Sequence, residues 1–322
     1  MALNTIPKEY RSVAIVGGTG ELGKYIVREF LKHQQVNIRI ITRKGSNNKD
    51  GLLSEYKSNN AAIYPVDYNN IDNLNEAFKG IDVVISTIGS EGLSTIQSNL
   101  IKAAVSSKIK LFIPSEFGSE VEGKTNPLFL QKIEIRNQIK ESGLNYIYYT
   151  NGFFIQHIIT DFYGIDIKNS KAQIVGKGDT QFTVTSLNDV AKFVYQTYYL
   201  SVFKNTTVNI VGENTTINKI LKDITKVTGK KFKATHISLA EVQKVLDNPN
   251  IDFFGKISYY LRKDIELGDI KLPSNHNDLV NFKSTSVLDV VKTNYAKVSS
   301  CSNTLSTFCT SLKSNKLLNF FK

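Results

Sequence analysis

The sequence predicts an α/β protein built on a doubly wound parallel sheet, with a smaller, irregular α/β region for substrate. Three observations carry this prediction. Short runs such as VAIV, IRII and VVIS are apolar throughout, as a sheet buried on both faces requires. They alternate with helical stretches at strand–helix–strand spacing, and parallel strands need such crossovers. After Asn151 the regular alternation gives way to a less orderly pattern.

In chain order, strands are predicted over Ser12–Val16, Asn37–Thr42, Ala62–Val66, Asp82–Ser86, Lys110–Pro114 and Asn145–Thr150. Helices are predicted near Gly20–His33, Ile71–Phe78, Ser94–Ser107 and Pro127–Glu141. The last is the best punctuated. Asn126 is a good N-cap, Pro127 a good first helical residue, and Ser142-Gly143 ends the helix. Farther on, Ala172–Val175 and Thr207–Val211 read as strands, Thr216–Thr228 and Leu239–Leu246 as helices, and Gly-Lys-Gly-Asp at 176–179 as a turn. From about Tyr295 the chain is rich in Ser, Thr and Lys and is expected to be loosely held. There is no internal repeat.

The 322 residues, 41% of them hydrophobic, suffice for a sizeable core in one large domain or two coupled ones. Only 21% are charged and no low-complexity run occurs, which argues against wholesale disorder. The start, MALNTIPKEYRS, has no apolar h-region, and no stretch approaches the roughly 20 apolar residues that span a bilayer. Cys301 and Cys309 are too few and too late for a disulfide framework, so a reducing, cytoplasmic setting is expected. The net charge of +11 comes from lysines spread along the chain. The densest patch, Lys219, Lys222, Lys226, Lys230, Lys231 and Lys233, reads as a solvated helix face and the strand after it, so neither nucleic acid nor membrane is expected as a partner. None of His33, His157, His236 and His276 has metal-ligand spacing to another His or Cys, and no metal is expected.

The most informative local pattern is SVAIVGGTGELGKYIVREFL. A strand runs into Gly17, Gly18, Thr19, Gly20, Glu21, Leu22 and Gly23, and a helix follows. One glycine permits a tight turn, the next lets the backbone approach a pyrophosphate, and the last lets helix and strand pack closely. The helix N-terminus offers unpaired N–H groups and a positive dipole end to the phosphates. A dinucleotide-binding Rossmann domain over residues 1–155 is therefore expected. Residues 156–322 would be mainly substrate-binding, with about 185–215 returning to the first core. The second strand ends Thr42-Arg43-Lys44, with no acid from Gln34 to Asn48 to bind a ribose 2′-hydroxyl. A guanidinium there suits a 2′-phosphate, which favours NADP(H) over NAD(H), and Lys44 or Lys49 would add charge.

A Tyr-x-x-x-Lys pair, the catalytic signature of many short-chain reductases, occurs only at Tyr259…Lys263. That is far past the sheet strands, and it is read as coincidence. The helix from Pro127 instead carries Lys132 and Arg136, four apart and so on one face, and ligands of such sheets bind at the carboxyl ends of the strands. A solvated Lys132 remains the competing interpretation. His157 is expected to be satisfied or exposed rather than facing substrate.

Several motifs occur in order over roughly residues 12–215: GGTGELG (17–23), Arg43, VVISTIG (83–89), FIPSEFG (112–118), FLQKIEIR (129–136), NGFF (151–154) and Ser186–Val190. Through them the chain resembles the NmrA-like and isoflavone-reductase-like group of atypical short-chain dehydrogenases/reductases. That group includes phenylcoumaran benzylic ether and pinoresinol–lariciresinol reductases. The resemblance implies that Lys132 is the catalytic acid/base and that Arg136 contacts the cofactor. It also implies that Thr87, Ile88 and Gly89 line the cofactor, with Ser115, Glu116, Phe117, Asn151, Gly152 and Phe153 around the nicotinamide. For Phe153 and Phe154, plain core packing is an equal alternative. The expected activity is NADPH-dependent reduction of an aromatic or conjugated carbonyl or benzylic small molecule. The alternative is a non-catalytic, redox-sensing NADP(H) binder acting through a protein partner. A homodimer is one candidate assembly.

Overall fold

The structure is a computed structural model, and it describes residues 6–33, 35–45, 51–273, 276–279 and 283–299. Lys49 and both cysteines lie outside the described residues. The first half alternates strand and helix: β1 (Ser12–Val16), α1 (Glu21–Leu31), β2 (Asn37–Arg43), α2 (Leu52–Ser58), β3 (Ala62–Val66), α3 (Ile71–Phe78), β4 (Val83–Ser86), α4 (Leu93–Ser106), β5 (Leu111–Ile113), α5 (Pro127–Ser142) and β6 (Ile147–Thr150). The order β3-β2-β1-β4-β5 is parallel at every pairing. β6 joins the β5 edge through a parallel bridge between Phe112 and Tyr146, and the Phe112 N–H donates to the Asn145 carbonyl at 2.8 Å.

The apolar strands are explained by which layer each residue meets. Val13 and Ile15 of β1 pack with Ile26, Val27 and Phe30 of α1 on one face. Ala14 and Val16 pack with Leu100 and Ala104 of α4 and Ile135 of α5 on the other. Burying such an Ile or Phe contributes about 1.5–3 kcal/mol, so neither layer is dispensable. The α5 termini form as the sequence predicts. Asn126 accepts the Leu128 N–H at 3.0 Å, and Gly143 takes the left-handed conformation at φ 72°.

The second half comprises β7 (Phe153–Phe154), α6 (Ile155–Ile158), β8 (Ile165–Asp166), β9 (Lys171–Val175), β10 (Phe182–Thr185), α7 (Leu187–Thr197), β11 (Thr206–Asn209), β12 (Glu213–Thr215), α8 (Ile217–Thr228), β13 (Lys233–Ile237), α9 (Leu239–Leu246), α10 (Phe253–Glu266) and α11 (Val287–Ser299). It is more regular than predicted. After β10, α7 packs on α1, and β11 lies parallel to β6 from Thr206 against Ile147 to Asn209 against Thr150. Two three-stranded sheets, β12-β10-β7 and β13-β9-β8, complete the region. Its own core contains Phe153, Tyr163, Phe182, Ile220, Ile224 and Ile257. Tyr295 packs against this core from within α11, and the rest of the Ser/Thr/Lys-rich segment, from residue 300 on, lies outside the described residues.

The other sequence expectations resolve plainly. All six lysines of the densest patch are exposed, on or just after α8 and on β13, and Lys219 pairs with Glu213 and Asp223. Tyr259 and Lys263 lie on α10, which the sequence reading did not predict. They bond to Gln173 at 3.5 Å and Gln243 at 3.0 Å, so the pair serves local packing. Among the described residues, no helix is long and apolar enough to cross a membrane.

Candidate functional site

The glycine turn leaves β1 through Gly17, at φ +79°, whose carbonyl accepts the Gly20 N–H at 2.8 Å. A Cβ on Gly18 would lie 2.7 Å from Ile40 Cγ2 and 2.9 Å from Val27 Cγ2, so its absence lets α1 close onto β2. A Cβ on Gly23 would run into the Gly17 carbonyl and come within 2.7 Å of Thr87 Oγ1. Thr87 in turn donates from Oγ1 to Val16 O at 2.8 Å, tying the end of β4 to the end of β1. Helix α1 begins at Gly20 without any side-chain cap. Its first N–H groups are thus left for an external acceptor, as an anion-binding helix start requires.

Other predicted residues of the cradle divide by role. Leu22 is buried in the core, while Glu21 stands out from the first turn and pairs with Lys24 at 2.8 Å. Arg43 ends β2 with an exposed side chain, beside exposed Lys44. Ile88 is half-buried, and its carbonyl accepts from Ser115 Oγ at 2.7 Å, which joins the β4 and β5 loops; Gly89 is exposed next to it. Tyr56 was not anticipated. Its buried hydroxyl donates to the Gly18 carbonyl at 3.0 Å and fixes the turn from α2, an element the sequence reading missed. Burial raises the Tyr68 hydroxyl to about 12, and that group donates to Ile41 O at 3.2 Å close to Arg43.

Lys132 is not a solvated lysine. It is 7% exposed, on the buried face of α5, and its Nζ donates to the main-chain carbonyl of Glu116 in the loop after β5. A Cβ on Gly118 would lie 3.3 Å from that Nζ. The Gly118 carbonyl accepts the N–H groups of Asn151 (2.7 Å) and Gly152 (3.0 Å), so the ends of β5 and β6 are stitched together beside the amine. Burial lowers the Lys132 pKa from its ordinary value, with the Glu116 charge opposing and the Arg136 charge assisting. Asn151 is fully buried, and its Oδ1 has no partner there, a polar atom left open at the carboxyl ends of the strands. Phe117 stacks 6.1 Å from Tyr149.

Arg136, Glu116, Phe153 and His157 each make close contacts within the protein. The Arg136 side chain is only 3% exposed. Its Nε and Nη2 donate to Glu116 Oε2 at 3.0 and 2.8 Å, Nη1 donates to Glu120 Oε1 at 2.6 Å, and the guanidinium lies 4.7 Å from the Tyr148 ring. Glu116 accordingly turns its carboxylate to Arg136 and offers only its carbonyl to Lys132. Phe153 packs 5.0 Å from Tyr163 and 6.2 Å from Phe182, inside the second core. His157 packs 5.0 Å from Phe154, and burial holds its ring neutral, with a pKa of about 3.

A sequence profile of the NmrA-like family matches residues 9–268, most of the chain. The chain belongs to the NmrA-like family. An isoflavone reductase homolog of Nicotiana tabacum is 30% identical over 227 residues, covering 67% of this chain and 69% of that protein. A phenylcoumaran benzylic ether reductase of Betula pendula is 26% identical over 219 residues, 65% of this chain and 67% of that protein. Among solved structures, the leucoanthocyanidin reductase–NADPH complex of Vitis vinifera superposes with a TM-score of 0.78 at 20% identity, over 88% of this chain and 99% of that one. An isoflavone reductase crystal structure matches with a TM-score of 0.78 at 23% identity, over 88% and 99%. This NmrA-like chain therefore shares the Rossmann-like reductase fold.

Proposed function

We propose that this NmrA-like protein is an NADPH-dependent reductase of an aromatic or conjugated carbonyl or benzylic small molecule, with Lys132 as the acid/base. The observation that carries the reading is the buried Lys132 amine, its pKa lowered by desolvation, held by a main-chain carbonyl where the ends of β5 and β6 meet. Perturbed buried amines at the carboxyl ends of strands are what proton transfer needs and what packing alone avoids. The relatives named above as reductases, and the NADPH bound by the grapevine enzyme, point the same way.

The residues present fit a dinucleotide. The Gly17–Gly23 turn and the uncapped α1 start would take the diphosphate, and exposed Arg43, with Lys44, would take the 2′-phosphate of the ribose. Thr87–Gly89, Ser115, Phe117, Asn151 and Gly152, with the main chain of Glu116 and Phe153, would line the nicotinamide half. Bound there, NADPH supplies a hydride. Lys132 would hold at Nζ the proton given to, or taken from, a phenol or carbonyl oxygen of the substrate. The carbonyl of Glu116 orients its Nζ, and the stitched β5 and β6 ends exclude water. A cytoplasmic location goes with this reading.

The test is NADPH oxidation over a panel of aromatic enones, quinones and benzylic ethers. At least one is turned over, and Lys132→Ala loses that turnover while binding NADPH as the wild type does. A protein that binds NADPH, turns over none of the panel and takes up a protein partner according to nucleotide would instead be a non-catalytic sensor.

A further inference from the structure

We infer that Arg136 and Glu116 form a buried positioning pair that sets the charge state and aim of Lys132, rather than a contact to the cofactor. The inference rests on the proposed role of Lys132. The geometry is specific. Lys132 and Arg136 lie one turn apart on the buried face of α5 and grip the same residue: Lys132 takes the carbonyl of Glu116, Arg136 its carboxylate through two nitrogens at 3.0 and 2.8 Å. Side-chain exposure is 3% for Arg136 and 1% for Glu116, so water does not screen the pair. Glu120 at 2.6 Å and Glu122 at 3.5 Å extend the grip to the rest of the loop. The ring of Tyr148, on β6, lies against the guanidinium at 4.7 Å.

The electrostatic consequence follows from who faces Lys132. The charged groups acting on its amine are Glu116 and Glu120, from the loop after β5, and Arg136, from its own helix. The two carboxylates favour the ammonium form, and the guanidinium opposes it. Arg136 neutralises both acids in place, so burial dominates and Lys132 stays poised for proton exchange. Burial works against the Arg136 charge too, but Glu116 and Glu120 hold it protonated. Burial also pushes the Glu120 carboxyl up, yet the Arg136 charge keeps it below its usual range.

Opposite perturbations must therefore give opposite shifts. Arg136→Met exposes Lys132 to uncompensated carboxylate charge, and its pKa rises. Glu116→Gln keeps the carbonyl and removes the opposing charge, and its pKa falls. Arg136→Met/Glu116→Gln removes both charges and returns close to the wild type. The double variant leaves no lone charge at the Glu116–Arg136 contact, so it folds even where a single variant is too unstable to study. The measurement is an NMR titration of the Lys132 side chain in lysine-labelled full-length protein, assigned with Lys132→Arg. It is paired with the pH profile of kcat/KM.

A displacement of about one pH unit in each single variant is expected, alkaline for Arg136→Met and acid for Glu116→Gln. The kinetic limb reporting Lys132 moves with it, whether that limb reports an acid or a base. NADPH affinity stays near wild type in Arg136→Met, because the guanidinium does not touch the cofactor. Shifts of the same sign, no shift, or a double variant no closer to wild type than the singles would overturn the pair's role. If the titration behaves as expected while Lys132→Ala retains full turnover, the pair stands and the catalytic reading of Lys132 falls.

Discussion

Replacing Lys132 with Met should abolish turnover without destabilising the fold. The side chain is 7% exposed, and its principal pKa perturbation is the cost of burying the ammonium. Desolvating such an ion costs several kcal/mol, of which a charge-assisted hydrogen bond to the Glu116 carbonyl returns about 1.5–3 kcal/mol. Met nearly matches the volume of Lys, so no large cavity opens, although the carbonyl loses its donor. The net expectation at pH 7 lies between no change and a gain of about 2 kcal/mol, at roughly 2 °C or more in Tm per kcal/mol. The pH dependence has a definite sign. Because the folded-state pKa is lowered, the unfolded chain holds the extra proton between that value and the ordinary 10.5. Wild-type stability therefore rises relative to Lys132→Met as pH climbs through that window. Calorimetric melts of both proteins from pH 6 to 10 measure this. A large fall in Tm for Lys132→Met at pH 7, or parallel pH curves, would refute a buried amine kept against its own stability.

Three further outcomes are expected. Arg43→Gln weakens NADPH by about 10–100-fold, the equivalent of one charge-assisted hydrogen bond of roughly 1.5–3 kcal/mol. NADH affinity is unchanged in that variant, and titration calorimetry reads both. Gly23→Ala drives a Cβ into the Gly17 carbonyl and Thr87 Oγ1, costing about 1–3 kcal/mol in overpacking; the Tm falls and the thermal shift with NADPH is lost. Asp264→Asn is more stable than the wild type at pH 7. Burial pushes the Asp264 carboxyl up to about 6, so the fold binds a proton the unfolded chain releases near 3.8, and stability declines as pH rises across that window. The variant's chemical-denaturation midpoint stays flat there.

The central first-half strands were legible because they are buried on both faces, as β4 is at all four positions, whereas the edge strand β3 is buried only at Val66. The α5 boundaries were legible because Asn126, Pro127 and Gly143 act locally. Helix α2 was not, since LLSEYKS is one short stretch with a single buried side chain, Tyr56. Helix α7 carried a readable signal that was overlooked: Ser186 accepts the Asp189 N–H at 3.1 Å, a cap three residues ahead of an acid. Helix α10 likewise begins on Asp252, which accepts the Gly255 N–H at 2.6 Å. Within the site, the helical spacing put Lys132 and Arg136 on one face, and the structure keeps them there. What the spacing does not encode is what lies opposite. Glu116 is sixteen and twenty residues from its two partners, and only the crossover from β5 to α5 brings them together. The Tyr56 contact to Gly18 is hidden for the same reason, as it spans 38 residues.

The cradle at Gly17–Gly23 with Arg43 underlies every functional statement, and isothermal titration of the purified protein with NADPH and with NADH tests it directly. The account predicts saturable heat with NADPH at one site per chain and binding of NADH at least about tenfold weaker. No heat with either dinucleotide, or equal affinity for both, would contradict it.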